Sequence, residues 1–196
     1  MLRNLHALLT GAFLFIFTFL LANGNPKDVI RLGSKLIYDV NFEGASYEVT
    51  VIVKNNNENY TFEWFMSKPA NGKGTIQLSK AAIENASGIL SHFTNGDISL
   101  DDQCCIFLSK KMFEELKNDG SMEIVTDKKK NVKTIFGNPY QHTQSYGYKN
   151  NYTNEFQCRT VSDGGDYQIT YVDDADFPLI VELNLDWSLK LKNIED

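Results

Sequence analysis

Hydrophobic and polar residues alternate along the C-terminal part of the chain. Within residues 177–191 every second position is apolar, beginning at Phe177 and ending at Leu191, and the positions between them are mostly polar, with Ile180 the strongly apolar exception. A period of two is typical of a β-strand that buries one face. The pattern predicts one continuous strand over 177–191, roughly three times the usual strand length.

The same alternation predicts further strands throughout the chain. Gly44 suits a hairpin turn between the first two runs, and the segment 138–154, rich in Asn, Gln and Tyr, is predicted to be an exposed loop. Consecutive alternating runs joined by polar turns indicate an antiparallel meander. The runs outside the C-terminal stretch are KLIYDVNF, SYEVTVIVK, YTFEWFM, TIQLS, SMEIVT, NVKTIFG, EFQCRTV and DYQITYV.

Two short helices are predicted in the middle of the chain. SKAAIENASG has Ser79 as a helix N-cap and Gly88 as a stop signal, and SKKMFEELKNDG has Ser109 and Gly120 in the same roles. A helix of about ten residues is too short to be stable alone, so the second must pack on the sheet. Its apolar side is formed by Met112, Phe113 and Leu116.

The predicted fold class is α+β. A flat sheet with a fifteen-residue apolar strand would leave much of that face in water, whereas long strands twist and coil. We therefore expect a mostly antiparallel, strongly curved β-sheet, a half-barrel or open barrel, with the two short helices on its concave side.

Residues 1–24 have the layout of a secretory signal peptide. Arg3 precedes an apolar run over residues 7–22, and the small residues Ala22 and Gly24 offer a cleavage site. The alternative is an uncleaved membrane anchor, although about sixteen apolar residues fall short of the ~20 that span a bilayer. Residues 25–196 then form a single domain, exported to the periplasm or secreted, with no stable membrane span after leader cleavage.

The charge balance argues against nucleic acid as a partner. The formal net charge is -6, and the one basic run, residues 128–130, follows Asp127 in a predicted turn. Nucleic acids and anionic membrane surfaces attract proteins through clustered Lys and Arg. Neither is expected to be the main partner of this chain.

The three cysteines leave their pairing open. One bridge from Cys104 or Cys105 to Cys158 is compatible with an oxidising compartment and leaves one free thiol, because neighbours in a strand point to opposite faces. The alternative is three reduced, mostly buried thiols that pack as small hydrophobes. No histidine is near them in sequence, so a metal site is not expected.

No catalytic constellation is found in the sequence. His92 and His142 are isolated, and the chain has no nucleophile elbow, phosphate-binding loop or zinc motif. The remaining acid–base or calcium candidates are in the turn 173–176, which contains Asp173, Asp174 and Asp176. A turn kept hydrated by its acidic residues explains this cluster better, so the sequence predicts no cofactor, no metal and no enzyme activity.

Aromatic side chains on the apolar strand faces are the candidate binding residues. A concave sheet lined with such side chains can hold an acyl chain or an apolar peptide. The alternative is that they are the packed core, covered by the helices. The predicted ligand-binding residues are Tyr38, Phe62, Trp64, Tyr171 and Trp187.

Three stretches resemble a known group of proteins. They are LDDQCCIFLSKKMFEELK, GDYQITYVDDADFPLIVELNLDWSLKLKNI, and the leader followed by strands that open with GSKLIYDV. The chain resembles uncharacterised exported proteins of Gram-negative bacteria, which are in turn similar to the outer-membrane lipoprotein-carrier-like group. The resemblance implies a curved antiparallel sheet with helices in its mouth and an exported location. It assigns no role to any residue.

Three functions follow as hypotheses. The first is a non-enzymatic exported binding protein for an apolar or lipid ligand, or for an envelope protein. The second is a structural or interaction module whose core is filled by its own helices, and the third is a hydrolase that uses the acidic cluster.

Overall fold

The computed structural model describes residues 26–67, 72–126, 131–148, 152–165 and 167–196. The predicted signal peptide lies outside these residues. Strands make up 56% of the structure, with two short helices and an additional single helical turn, α1 (Pro26–Val29). No helix within the described ranges has the length and apolar character needed to cross a membrane.

Four antiparallel strands form the first half of the main sheet, as the alternation predicted. They follow each other as neighbours, and the turn between the first two places Glu43 at φ 52° and Gly44 at φ 78°. A left-handed pair of this kind makes a tight hairpin turn, and glycine adopts that conformation without steric cost. The strands are β1 (Lys35–Phe42), β2 (Ala45–Asn56), β3 (Tyr60–Met66) and β4 (Lys73–Leu78).

Both predicted helices are present with their predicted caps. Ser79 accepts the Ala82 N–H at the start of α2 (Lys80–Asn85), and Ser109 accepts the Met112 N–H at the start of α3 (Lys110–Asp119). Gly120 ends α3 in the left-handed conformation, whereas α2 ends before Ala86 and Gly88 belongs to a strand. The short strands between the helices are β5 (Gly88–Ile89), β6 (Ile98–Leu100) and β7 (Gln103–Cys104).

The prediction of an exposed loop over 138–154 was wrong. Most of this polar segment is strand, in the hairpin of β10 (Tyr140–Tyr148) and β11 (Tyr152–Ser162), whose ladder runs from Tyr140–Thr160 to Tyr148–Tyr152. Polar residues can form a strand when neighbouring strands satisfy its backbone groups. The other strands between α3 and the acidic turn are β8 (Ser121–Thr126), β9 (Asn131–Phe136) and β12 (Gln168–Val172).

The single long strand predicted over 177–191 was also wrong. The stretch folds into a hairpin of β13 (Ile180–Asn184) and β14 (Ser188–Glu195), with Leu183 opposite Leu189 and Asn184 opposite Ser188. Residues 185–187 form the turn, in which the Leu185 N–H donates to the Trp187 carbonyl at 2.8 Å. All the apolar residues of the pattern are nevertheless buried.

The main sheet closes on itself at one end, which corrects the prediction of a half-barrel or open barrel. Its ten strands run in the order β10-β11-β12-β13-β14-β1-β2-β3-β4-β6, and β10 also pairs with β14. β14 pairs with β13 only as far as Lys190, so the following residues of β14 have no β13 partner on that side. Asn193 pairs there with Gly147 of β10. Strands β10 to β14 thus form a closed five-stranded barrel, and the remaining strands extend the sheet from β14.

The pairing is mixed rather than purely antiparallel. β4 pairs in parallel with β6, and β10 with β14. A second sheet, in the order β7-β5-β8-β9, also contains parallel pairs of β5 with β7 and with β8. The β10–β14 contact is the barrel closure, whereas the other parallel pairs involve strands between β4 and β8, which do not turn back beside the strand that precedes them.

One buried hydrophobic cluster connects the barrel, the sheet extension and the helices. It includes Phe113 of α3, whose ring packs edge-on against Tyr171 of β12 with 5.7 Å between centroids. The apolar side predicted for α3 is the side that is buried, because Met112, Phe113 and Leu116 are each at most 1% exposed.

Candidate functional site

The five residues predicted to bind a ligand are all in the packed core. Tyr38, Phe62 and Tyr171 are completely buried, and the Tyr38 hydroxyl donates to the Ile180 carbonyl at 3.0 Å. Trp64 is 1% exposed and Trp187 is 6% exposed. These aromatic side chains therefore belong to the packed core, as expected if they serve packing. Their role in ligand binding stays a prediction.

A cleft between the sheet and the helices is the candidate site. The α2–α3 cleft is the space enclosed by the start of β3, helix α2, the start of α3 and residues 175–178, which include the end of the acidic turn. Its outer part has a volume of about 340 Å³, and its inner part is a cavity of about 20 Å³. Four residues line both parts: Tyr60, Ile83, Lys110 and Asp176.

The two parts of the cleft differ in chemistry. The outer part is polar, and its lining residues are Asn56, Asn57, Glu58, Lys80 and Glu84 besides the four shared ones. The inner cavity is mostly apolar, with Leu78, Cys104, Phe107, Leu108, Ala175 and Pro178 in its lining. A cavity of this size holds about one water molecule or a methyl-sized group.

Ser109 joins the two helices at the back of the cleft. Its buried hydroxyl accepts the Met112 N–H at 3.0 Å and donates to the Ala86 carbonyl at 2.7 Å, so one side chain caps α3 and satisfies the end of α2. At the rim, Lys110 Nζ lies 2.8 Å from Glu84 Oε1. The helices therefore form one unit at the cleft.

A short backbone ladder connects the segment before α3 to the segment before β13. The Leu108 N–H donates to the Pro178 carbonyl at 3.0 Å, and the Ile180 N–H donates to the Ile106 carbonyl at 2.8 Å. The Tyr60 hydroxyl reaches the Asp176 carbonyl at 3.3 Å. The acidic turn is thus fixed between β3 and the approach to α3.

An aromatic cluster lies beneath the inner cavity. Phe107 is at its centre, with ring centroids 5.2 Å from Tyr60, 5.5 Å from Phe62 and 4.8 Å from Phe177. Of the predicted binding residues, Phe62 is therefore one ring away from the cavity. The cluster makes the floor of the cleft apolar and rigid.

Two titratable groups of the cleft, Tyr60 and Cys104, are held in their neutral forms. Burial, together with the nearby Asp176 and Asp174 carboxylates and the Cys104 thiol, raises the pKa of the Tyr60 hydroxyl. Burial likewise raises the pKa of Cys104, whose Sγ donates to the Ala82 carbonyl at 3.5 Å. Cys104 is a protonated thiol at neutral pH and lacks the thiolate that a nucleophile requires.

The carboxylates of the acidic turn bind different partners instead of converging on one point. Asp173 pairs with Arg159 at 2.7 Å and accepts a hydrogen bond from Gln141, whereas Asp174 accepts the Asp176 N–H at 2.9 Å. Among the described residues, no group of three His, Cys, Asp or Glu side chains is placed to hold a metal ion. The calcium version of the hydrolase hypothesis therefore has no ligand set in this part of the chain.

Cys104, Cys105 and Cys158 are free and buried. The disulfide considered between Cys104 or Cys105 and Cys158 is not formed in this structure. Burial raises the pKa of Cys105 to about 12 and, with the Asp173 charge, that of Cys158 to about 12.

The chain matches no protein-family model, no curated protein and no solved structure. The resemblance to the lipoprotein-carrier-like group therefore stays a prediction.

Sequence reasoning missed most residues of the cleft. Tyr60, Ile83, Phe107 and Lys110 come from separate elements, and no sequence spacing brings them together. The available signal was the acidic turn with its FPL sequence, which does contribute Asp176 and Pro178 to the cavity.

Proposed function

We propose that this chain is a non-enzymatic exported binding protein that takes up an apolar ligand through the α2–α3 cleft. The supporting observation is an apolar cavity beneath a polar cleft, above the Phe107 aromatic cluster. Binding sites combine an apolar lining with a few polar groups in this way. The lipoprotein-carrier-like resemblance agrees with this function.

In this proposal the two helices cover the concave side of the curved sheet. The inner cavity of about 20 Å³ is far below the roughly 300 Å³ of a small-ligand pocket, so the proposal requires a second, open form of the protein. An acyl chain enters when α2 and α3 move together away from β3 and β4. The unit joined by Ser109 is the moving part.

Native mass spectrometry with added fatty acid tests this function. Wild-type protein is expected to take up a C12–C16 fatty acid, and Ala175→Phe, which places a ring at the cavity mouth from an exposed position, is expected to lose that uptake. Ala81→Phe is the matched control, because Ala81 is exposed on α2 and does not line the cavity. A wild-type protein that remains free of fatty acid and of phospholipid would overturn the proposal.

A second candidate is the interaction module with a self-filled core. The observation that favours it is the burial of Met112, Phe113 and Leu116, which are part of the packed core of the protein. In this version an envelope protein docks on the surface and nothing is carried. In this version, native mass spectra of the wild-type protein are expected to show no bound lipid. The spectra of Ala175→Phe and Ala81→Phe are expected not to differ from each other.

A further inference from the structure

β10 is a terminal strand of the main sheet, and one of its edges is largely unpaired. On one side it pairs with β11 along its whole length, from Tyr140 to Tyr148. On the other side its strand partner is Asn193 of β14, opposite Gly147. Within the described part of the chain, residues Tyr140–Tyr146 therefore have no strand partner on that side. The free N–H and C=O groups of such an edge can form a ladder with another strand.

The other strands that end a sheet carry features that prevent pairing, whereas β10 does not. β6 has three residues and β7 has two, and the sequence of β9 contains Lys133. Short edge strands, lysine and proline are common means of blocking an exposed edge. The sequence of β10, YQHTQSYGY, contains no Lys, Arg, Asp, Glu or Pro. Among the described terminal strands, β10 is therefore the one that is open to pairing.

The lack of charge along β10 favours a second copy of the same chain as the partner. The whole chain has a formal net charge of -6, so two copies repel each other at most relative orientations. Pairing along β10 places no like charges directly opposite each other, because its exposed side chains are those of Gln141, Thr143 and Ser145. The edge is thus complementary to itself.

We propose that β10 pairs antiparallel with β10 of a second copy and forms a dimer with twofold symmetry. A twofold axis perpendicular to the sheet keeps each face of the sheet on its own side, so paired positions are both odd or both even. Pairing the whole free segment then places Thr143 opposite Thr143 of the second copy, and Gln141 opposite Ser145 of the second copy. Cross-strand threonine pairs stabilise antiparallel sheets. The inference goes beyond the proposed function, because β10 does not line the α2–α3 cleft.

Sedimentation velocity tests the proposal. A single pair of strands makes a small interface, so we expect a weak dimer whose sedimentation coefficient rises between about 5 and 500 µM wild-type protein. Thr143→Lys places two like charges opposite each other at the axis and is expected to weaken the dimer about fivefold to tenfold. Gln77→Lys is the matched control and should leave the dimer unchanged, because Gln77 is exposed in β4, which has a strand partner on both sides.

A cysteine variant tests the register. Opposite residues of an antiparallel pair have Cα atoms about 4.5 to 5.5 Å apart, which is within the range of a disulfide. Thr143→Cys is therefore expected to form a disulfide-linked dimer on mild oxidation, whereas Gln77→Cys, which is also exposed, should stay mostly monomeric. The native cysteines are buried and free, so they should not compete for the new thiol. Non-reducing gel electrophoresis measures the linked fraction.

Three results would overturn the inference. A wild-type protein that stays monomeric up to about 500 µM would exclude the dimer and leave the edge to an extended segment of another protein. Equal dissociation constants for Thr143→Lys and Gln77→Lys would mean that the copies associate through another surface. Equal cross-linking of the two cysteine variants would exclude the pairing of Thr143 with itself.

Discussion

Three buried thiols are an unusual feature for a chain with a predicted export signal. Cys104 and Cys158 are completely buried and Cys105 is 3% exposed, and burial keeps all three protonated at neutral pH. Oxidation and disulfide exchange proceed through the thiolate, so burial protects these residues even in an oxidising compartment.

We predict that the native protein reacts very slowly with a thiol reagent such as Ellman's reagent. In denaturant without reductant, all three thiols should react. The measurement is the number of thiols titrated before and after unfolding. One reactive thiol in denaturant would instead indicate that Cys158 is bridged to Cys104 or Cys105.

The Arg159–Asp173 ion pair makes stability depend on pH. Burial raises the pKa of the Asp173 carboxyl, but hydrogen bonds from Arg159 and Gln141 and the Arg159 charge lower it by more, so its pKa lies below the usual value. A carboxyl with a lower pKa in the folded than in the unfolded state stabilises the fold above its unfolded pKa of about 4. That contribution is lost as the pH falls through the folded pKa.

Asp173→Asn is therefore expected to lower the free energy of unfolding by about 1–3 kcal/mol at pH 7. The gap between variant and wild type should narrow as the pH falls from about 4 through the folded pKa, because the unfolded carboxyl is protonated first and the folded one at lower pH. Urea unfolding at pH 7 and pH 3 measures both values. Asp101→Asn, at an exposed position, is the control, and a gap that does not change with pH would contradict the assignment.

At the level of elements, the geometry of the C-terminal hairpin explains why the alternation predicted one long strand over 177–191. Leu183 and Leu189 are cross-strand partners on the same buried face, and six positions separate them. Because cross-strand partners here are an even number of residues apart, the period of two continues through the turn without a break. Leu185 and Trp187 extend it, since both are buried in the turn itself. Alternation alone cannot distinguish this hairpin from one long strand.

A glycine inserted into the C-terminal stretch distinguishes the β13–β14 hairpin from a single long strand. After Asp186 it lengthens the hairpin turn, keeps the pairing of Leu183 with Leu189, and should cost about 1 kcal/mol or less. After Lys190 it reverses the faces of the following residues, exposing Leu191 and Ile194, and should cost at least about 3 kcal/mol. Urea unfolding measures both, and equal costs would refute the hairpin.

Helix α3 was predictable because its signals are local. Ser109, Gly120 and the apolar side all lie within twelve residues of sequence, and each was found where predicted. The cleft was not predictable, because it depends on contacts such as Tyr60 to Asp176, which are 116 residues apart. The closed barrel was missed for the same reason, since it depends on the distant pairing of Gly147 with Asn193.

Leu116→Ala is expected to lower the free energy of unfolding by about 2–5 kcal/mol, because it removes a completely buried side chain between α3 and the sheet. Lys111→Ala, on the exposed side of the same helix, should change it by about 0.5 kcal/mol or less. Chemical denaturation gives both values. A small effect at Leu116 would contradict the close packing of α3 on the sheet.

For the molecule as a whole, β14 joins two parts. It is the last strand of the closed barrel and the neighbour of β1, where the sheet extension begins. A single buried cluster runs through both parts. A shared strand and a shared core make separate unfolding of the barrel and the extension unfavourable.

The fluorescence of the two tryptophans reports separately on the sheet extension and on the barrel. Trp64 is in β3 of the extension, and Trp187 is in the β13–β14 turn of the barrel. In Trp64→Phe and Trp187→Phe variants, the fluorescence midpoint should coincide with the circular-dichroism midpoint of the same variant. A fluorescence transition that precedes or follows the loss of strand signal would show two independently unfolding units.

The adjacency of β1 and β14 also has a consequence for biogenesis. β1 pairs with β2 early in synthesis, but it gains its second neighbour, β14, only after residue 188 has been synthesised, and the barrel closes later still, at Asn193. Contacts so distant in sequence form slowly, because the intervening chain must first lose its freedom. A nascent chain of this kind cannot complete its main sheet before β14 has been synthesised.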